Sequence, residues 1–301
     1  ILKLGHDAMA VKRKTYRYRD GDIIDVEEYH DGRYGAPGEK REKKTKPTAE
    51  QMRRINAQNK TKRARQRMLL YIKDGDYFAT WTYAREERPP DMKAALKDFQ
   101  NAMKHVRREY RKKGKELFWF RNIERGTKGA WHIHLVINDI GDTAGILTDA
   151  WTKGSVYISR IRNNPKVYDE DFTKLASYMT KDEHTVHEKK DGTAGKPRIR
   201  EANYNISRNM PLPEPKPDKL LRWKKEAKPK KGYYIAHIYE GRNPVTGHRY
   251  RKYTMIRLES RGKEKNNGSR TKKKKETHAK HPPGQRGQEV LPLYDGRGLQ
   301  R

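Results

Sequence analysis

Between residues 77 and 114, the pattern of hydrophobic and polar positions first fits a strand and then has the period of an α-helix. The segment Tyr77–Tyr83 is rich in aromatic and β-branched residues, which is typical of a strand. Two prolines then precede Asp91, a predicted N-cap residue. From there, apolar residues recur every three or four positions as far as Tyr110, which predicts an amphipathic helix that ends near Gly114. The region therefore begins with a strand and a helix.

The apolar segments that follow predict two paired strands and then a further helix and strand. Residues 117–124 and 131–138 flank the short turn 125–129, a pattern that indicates a hairpin. The order strand, helix, strand, strand, helix, strand is that of the split βαβ, ferredoxin-like α+β class. We expect one antiparallel sheet with helices on one face and the other face open to a long ligand. The remaining predicted elements are a short helix at 143–151, a strand at 155–161 and a helix at about 169–181.

Polar and basic segments flank this region on both sides. A capping box at Thr48–Gln51 predicts one helix that continues to Leu70, with a basic face that either is solvated or binds nucleic acid. The stretch 188–230 is interpreted as loop-like, and two apolar segments at 233–238 and 250–258 as a late hairpin. We therefore divide the chain into a basic, partly helical N-terminal extension (1–75), a central domain (76–187), an accessory region (188–258) and a disordered basic tail (259–301).

The charge of the chain points to a polyanionic partner. Lys and Arg total 71 against 39 Asp and Glu, which gives a formal net charge of +32. Nucleic acid is the default partner for such a field, and a basic scaffold protein of the ribosomal or chromatin type is the alternative. No segment reaches the ~18 apolar residues of a membrane span. Cysteine is absent, which excludes disulfides and thiolate metal sites and fits a reducing cytoplasm.

Two histidines stand one residue apart in the predicted strand at 131–138. In a strand, His132 and His134 point to one face, while Ile133 points into a core on the other. Glu124 ends the strand that precedes them, so its carboxylate could complete an N,N,O site for a divalent ion. The alternatives are a structural histidine pair and a turn ion pair of Glu124 with Arg125 or Lys128.

A tyrosine and a lysine stand three residues apart in the last predicted helix. Positions i and i+3 share a helix face, so the side chains of Tyr178 and Lys181 project together. A phenol is a poor nucleophile at neutral pH unless its phenolate is stabilised, which a nearby ammonium or a metal-held phosphate would do. A half-buried aromatic residue with one hydrogen bond is the alternative.

Three motifs in this order resemble those of the HUH endonuclease superfamily. They are the strand Phe78-Ala79-Thr80-Trp81-Thr82-Tyr83, the pair His132-Ile133-His134 and the segment Tyr178-Met179-Thr180-Lys181. Among the branches of the superfamily, the chain is most similar to rolling-circle replication initiators of the phage ORF2/gene-two-protein type. The similarity covers residues from about 76 to 184.

The resemblance implies an enzyme that nicks and rejoins DNA. His132 and His134, with Glu124, would hold Mg²⁺ or Mn²⁺ on the scissile phosphate. Tyr178 would attack the phosphorus and leave a 5′-phosphotyrosine and a free 3′-OH, while Lys181 would lower the pKa of the phenol or bind a phosphate oxygen. The implied partners are single-stranded DNA at a replication origin and the helicase and polymerase of a bacterial host, in whose cytoplasm the protein would act.

Several alternatives remain open at this stage. A plasmid relaxase or a transposase would share the chemistry, and a non-enzymatic single-stranded nucleic-acid-binding module could share the fold. The motif holds one tyrosine, so a second cleavage would use another route or a residue such as Tyr168 or Tyr204. Trp119 and Trp131 could stack on bases, although core packing is the favoured role for Trp119, as it is for Trp81.

Overall fold

The computed structural model describes residues 11–30, 46–186, 195–220, 223–242 and 249–258. Within these ranges, the chain forms two five-stranded antiparallel sheets and four α-helices, which confirms the α+β class. Its ferredoxin-like assignment stays an interpretation. The elements are β1 (Val11–Tyr18), β2 (Ile23–His30), α1 (Ala49–Tyr71), β3 (Tyr77–Thr82), α2 (Met92–Lys112), β4 (Trp119–Gly126), β5 (Trp131–Ile137), α3 (Thr143–Ala150), β6 (Val156–Arg160), α4 (Thr173–Thr180), β7 (Ile199–Ile206), β8 (Lys216–Leu220), β9 (Tyr233–Arg242) and β10 (Arg249–Arg257).

The central sheet has the strand order β6-β3-β5-β4-β7. Both β3 and β4 pair antiparallel with β5, so they run parallel to each other and α2 connects them with a third strand between. The predicted start of α2 is confirmed, because Oδ1 of Asp91 accepts a hydrogen bond of 2.8 Å from the backbone N–H of Ala94. The helix α4 is shorter than expected, since Phe172 adopts a left-handed conformation with φ 59° just before it.

One face of the central sheet packs against α2 and α3. Its core contains Trp81 and Ile133 from the sheet, Phe99 from α2 and Trp151, which follows α3. The rings of Trp81 and Trp151 are stacked with centroids 5.0 Å apart. This face is closed by apolar contacts, as the helical period of α2 predicts.

The opposite face was expected to be open, and this expectation is wrong. Met68 of α1 and Met179 of α4 pack over Phe78, Phe120 and Val136 at one end of the face. The sequence did not predict this role, because most residues of α1 are polar or basic. The few apolar residues Ala64, Met68 and Leu69 are buried on the side that faces the sheet. Among the described residues, the part of this face beyond that stripe is the part that these helices do not cover.

Strands from both ends of the described chain form the second sheet, in the order β8-β1-β2-β10-β9. Residues 11–30, which the sequence assigned to a partly helical extension, contain two of these strands, joined by a short 3₁₀ turn. The predicted late hairpin is confirmed as β9 and β10. The predicted tail at 259–301 lies outside the described residues, and the division at 75, 187 and 258 stays a prediction.

The loop-like interpretation of 188–230 is wrong for two segments. The segment β7 pairs with β4, and β8 pairs with β1. The first is dominated by polar residues such as Asn203 and Asn205, and the second contains Pro217, which is tolerated here because β8 is an edge strand. Neither segment has the apolar alternation by which strands are recognised.

Through Arg65, helix α1 links β2 of the second sheet to the segment that precedes α4. The guanidinium donates to Oδ2 of Asp25 in β2 at 2.6 Å and to Oδ2 of Asp171, just before α4, at 2.9 Å. It also donates to the carbonyl oxygen of Asp171 at 2.8 Å. Across the described ranges, no helix is both long enough and apolar enough to span a bilayer.

Candidate active site

The register of the three central strands arranges the face below α1 and α4 in layers. Directly paired residues of an antiparallel sheet point to the same side, so each layer is a row of neighbouring side chains. The face changes from apolar to polar over two steps of the strand. The layers are Phe78–Val136–Phe120, then Thr80–His134–Asn122, then Thr82–His132–Glu124.

The two histidines share this face, which confirms the prediction from their spacing. Their rings lie 6.1 Å apart with an interplanar angle of 18°. His134 is buried, with Nδ1 3.0 Å from the hydroxyl of Thr80 and Nε2 3.0 Å from Oε1 of Glu124. His132 is more exposed, and its Nδ1 is 4.0 Å from the same oxygen.

Glu124 is the electrostatic centre of the cluster. Its Oε2 lies 2.8 Å from Nζ of Lys181, and both side chains are nearly buried. Burial alone would raise the pKa of Glu124, but the hydrogen bond with His134 and the charge of Lys181 outweigh it and lower the pKa to about 2. Among the described residues, Glu124 pairs with neither Arg125 nor Lys128, the alternative of a turn ion pair; its partners are His132, His134 and Lys181, and Arg125 lies 3.5 Å from Glu201.

Burial also lowers the pKa of His134 and of His132, although the carboxylate of Glu124 opposes the shift at both rings. The uncharged imidazole is the form that binds metal ions. If the proton of His134 is on Nδ1 and donated to Thr80, the lone pairs of Nε2 and of Glu124 Oε1 face each other across 3.0 Å. A proton or a cation between them relieves that repulsion.

The phenol of Tyr178 lies beside His134, the buried member of the histidine pair. Its hydroxyl oxygen is 3.4 Å from Nε2 of His134, and the two rings meet edge to face with centroids 5.0 Å apart. Nζ of Lys181 is 3.8 Å from the centroid of the Tyr178 ring. Lys181 is the first residue after α4 and not part of the helix, yet the predicted proximity of phenol and ammonium holds.

Helix α1 positions the end of α4 that carries these groups. The hydroxyl oxygens of Thr61 and Thr180 are 2.7 Å apart, and Nζ of Lys60 donates to Oδ2 of Asp182 at 2.9 Å. From the sheet side, Nδ2 of Asn122 donates to the carbonyl oxygen of Lys181 at 2.9 Å. The turn after α4 is therefore fixed from two directions.

The donor set of His132, His134 and Glu124 fits a divalent ion in its chemistry, with two imidazoles and one carboxylate. Nevertheless, in the part of the chain that the structure describes, no group of three His, Asp or Glu side chains has the geometry of a metal-binding site. In this arrangement, the carboxylate of Glu124 forms an ion pair with the ammonium of Lys181. The metal role of the three residues stays a prediction.

The sequence analysis gave no role to Thr80, although it lies in the first motif, and did not single out Asn122; these two residues hold His134 and Lys181. Both are two positions from a residue that was recognised, in Phe78-Ala79-Thr80 and in Asn122-Ile123-Glu124, so strand alternation could have found them. The suggestion that Trp131 stacks on bases is wrong because its side chain is 2% exposed. Core packing is confirmed for Trp81 and Trp119.

The two further tyrosines lie in different surroundings. The hydroxyl of Tyr168 donates to Oδ2 of Asp74 at 3.3 Å. Tyr204 pairs with Asn122 across β7 and β4, so it shares the face of the histidines. Neither position establishes a second nucleophile.

Comparison with known protein families matches the central part of the chain. Residues 76–183 match the family model of the replication-associated protein ORF2/gene-two-protein, which is 108 of the 301 residues. That range runs from the start of β3 to just beyond α4 and contains His132, His134, Glu124, Tyr178 and Lys181. The match supports a replication-associated, Rep-like protein. The chain matches no curated protein and no solved structure.

Proposed function

We propose that this protein is a rolling-circle replication initiator of the HUH superfamily that nicks single-stranded DNA at an origin. The observation that carries the proposal is the position of the Tyr178 hydroxyl, 3.4 Å from Nε2 of His134 and within the range that matches the replication-associated family model. A phenol beside two histidines, a carboxylate and an ammonium is suited to covalent phosphoryl transfer.

The nucleophile is the hydroxyl oxygen of Tyr178. It forms a bond to the phosphorus while the bond from phosphorus to O3′ breaks, and the phenolic proton ends on O3′. The products are a 5′-phosphotyrosine and a free 3′-OH that can prime synthesis. The reverse reaction rejoins ends without ATP, because the phosphotyrosine retains the phosphodiester bond energy.

The neighbours of Tyr178 stabilise and orient the reacting groups. The ammonium of Lys181, 3.8 Å from the phenol ring, stabilises negative charge on the phenolate and on phosphoryl oxygens. His132, His134 and Glu124 would hold Mg²⁺ or Mn²⁺, which when bound polarises an oxygen of the scissile phosphate. Thr80 fixes the ring of His134 through its Nδ1.

The DNA substrate follows from the charge and from the covered face. A net charge of +32 attracts phosphates. In the described part of the chain, α1 and α4 cover the apolar end of the face, so a strand would approach Tyr178 from the polar end. We propose single-stranded origin DNA as the substrate and the host helicase and polymerase as partners. A relaxase or a transposase with the same chemistry would act on a transfer origin or a transposon end instead.

The non-enzymatic binding module is less well supported by the site. Such a module on this type of sheet stacks bases on exposed aromatic residues of its central strands. Here Trp81, Trp119 and Trp131 are all buried, and the polar layers hold titratable groups instead.

The test is a denaturing gel of the full chain with the origin strand of its own replicon in Mn²⁺. The wild type should give a cleaved strand and a protein–DNA band. Tyr178→Phe should lose both, by roughly 10⁴-fold or more, because only the nucleophilic oxygen is removed. Tyr77→Phe, which removes a phenolic oxygen from the same sheet away from the histidine layers, is the matched control and should react as the wild type does.

Two results would contradict the proposal. A DNA-linked band from Tyr178→Phe would show that another residue is the nucleophile. Binding of the origin strand by the wild type without any cleavage would favour the binding module.

A further inference from the structure

A basic cleft lies beside the candidate active site, between α1 and β7. It has a volume of about 350 Å³, which lies within the range of roughly 300–1,000 Å³ typical of pockets for small ligands. The polar and aromatic side chains that line it are Asn56, Asn59, Lys60, Arg63, Arg67 and Tyr204.

Two contacts join this cleft to the reacting groups. Lys60 lines the cleft and donates to Asp182, the residue that follows Lys181. Tyr204 pairs across the strands with Asn122, whose amide holds the carbonyl of Lys181. A strand that passes Tyr178 and Lys181 therefore meets the mouth of the cleft within a few side chains.

The lining has the chemistry of a nucleotide site. Three cations are present, and they differ in their freedom to bind a phosphate. Arg67 is held by the carbonyl of Met210 at 2.7 Å and Lys60 by Asp182, whereas Arg63 is exposed. Guanidinium groups bind phosphate oxygens in a bidentate manner.

The floor of the cleft offers aromatic and amide groups. Tyr204 is half-buried: it packs against the core between α1 and the sheet, and it also lines the cleft, where its ring offers a surface for a base. Stacking is tolerant of base identity. The amides of Asn56 and Asn59 can both donate to and accept from base edges.

We propose that this cleft binds one nucleotide of the single-stranded DNA next to the scissile phosphodiester. The exposed guanidinium of Arg63 binds its phosphate, and the ring of Tyr204 stacks on its base. The inference rests on the proposed function for the identity of the strand. A single nucleotide is favoured over a duplex because the cleft is a small concave site and not a groove-sized surface.

Binding should be measured on the full chain carrying Tyr178→Phe, so that no DNA is cleaved. The probe is a 16-residue oligothymidylate, and its Kd is determined by fluorescence anisotropy at several salt concentrations. We expect Arg63→Ala to weaken binding about 5-fold and to lower the salt slope by about 0.7, the value for one phosphate of a single strand. Arg107→Ala on α2, an exposed arginine behind the opposite face of the sheet, removes the same charge and should change Kd less than 2-fold.

The aromatic part is tested by two substitutions of Tyr204. Tyr204→Phe keeps the ring and should bind as the parent does, whereas Tyr204→Leu should weaken binding about 10-fold. A photo-cross-link from oligothymidylate that carries one 5-iododeoxyuridine should map to Tyr204. The cross-link is made with the parent chain, so it remains informative if Tyr204→Leu does not fold.

The outcomes separate the cleft from the proposed function. If Arg63→Ala and Tyr204→Leu bind as Arg107→Ala does, the cleft proposal is wrong even when the wild type nicks its origin. Cross-links confined to other segments would overturn it as well. If the wild type fails to nick while both variants lose affinity, the cleft is supported and the nicking function is not.

Discussion

The two faces of the central sheet are made by alternating residues of the same strands, yet their contents differ. On the side of α2 and α3, Ile133, Leu135 and Ile137 of β5 are fully buried among apolar groups. On the side of α1 and α4, the same strand presents Val136, then His134, then His132. The first face is apolar along its whole length, which we call the uniform face. The second changes from apolar residues at one end to the polar residues of the candidate site at the other, which we call the graded face.

The difference shows how a small sheet separates stability from chemistry. Buried apolar area on the uniform face stabilises the sheet and makes its strands rigid. On the graded face, burial of Glu124 and Lys181 is unfavourable unless each charge is paired, and the pair is 2.8 Å apart. The apolar face therefore holds in place the strands from which the polar groups project.

The sharpest test of this separation is loss of a histidine from the graded face. His132→Ala should lower the rate of cleavage in Mn²⁺ by roughly 10²–10⁴-fold, as expected when an ion loses one ligand and several kcal/mol of charge stabilisation. The thermal midpoint should change little, because this side chain is partly exposed. His105→Ala on α2 is the control, and unchanged cleavage by His132→Ala would exclude the metal role.

The neighbouring residue should give the reverse result. Ile133→Ala removes a fully buried side chain from the uniform face and should lower the free energy of unfolding by about 2–5 kcal/mol. Well below the melting transition, cleavage per folded molecule should stay near that of the wild type. Urea unfolding and a nicking assay on the same preparation measure both quantities, and a large loss of cleavage in the folded variant would show that the faces are coupled.

A smaller effect is expected at Asp171, where α4 is tied to α1. Burial would raise the pKa of Asp171, but the hydrogen bond with His237 and the charge of Arg65 outweigh it and hold the pKa well below its usual value. A carboxyl group with a depressed pKa contributes stability that is complete above its unfolded pKa, about 4, and is lost as the pH falls through the folded value. Asp171→Asn should therefore lower the free energy of unfolding at neutral pH by about 1–3 kcal/mol.

The pH profile checks the cause of this effect. Between roughly pH 4 and pH 2, the wild type should lose stability more steeply than Asp171→Asn does. The exposed Asp149→Asn on α3 serves as the control and should follow the wild type. Parallel profiles for wild type and Asp171→Asn would mean that the contacts of Asp171 with His237 and Arg65 together add nothing to stability.

Local periodicity predicted much of the central sheet and part of the site. The alternation of His132, Ile133 and His134 predicted their opposite faces, and the short turn after Glu124 predicted its pairing with His132. The three-residue spacing of Tyr178 and Lys181 also survives, although the helix ends between them. Each of these relations spans few residues, so the backbone geometry of one element or one hairpin decides it.

Contacts between distant segments decided the rest. The strands β7 and β8 lack an apolar alternation and form because β4 and β1 offer unpaired edges. Arg65 contacts Asp25 and Asp171, which are 40 and 106 positions away from it in the sequence. Tyr178 contacts His134, which is 44 positions away. The sequence by itself determined which side chains share a strand face or a helix turn, because those periods are local. Only the tertiary structure decided that α1 and α4 cover that face and bring the phenol to the histidines, because packing between distant segments leaves no period in the chain.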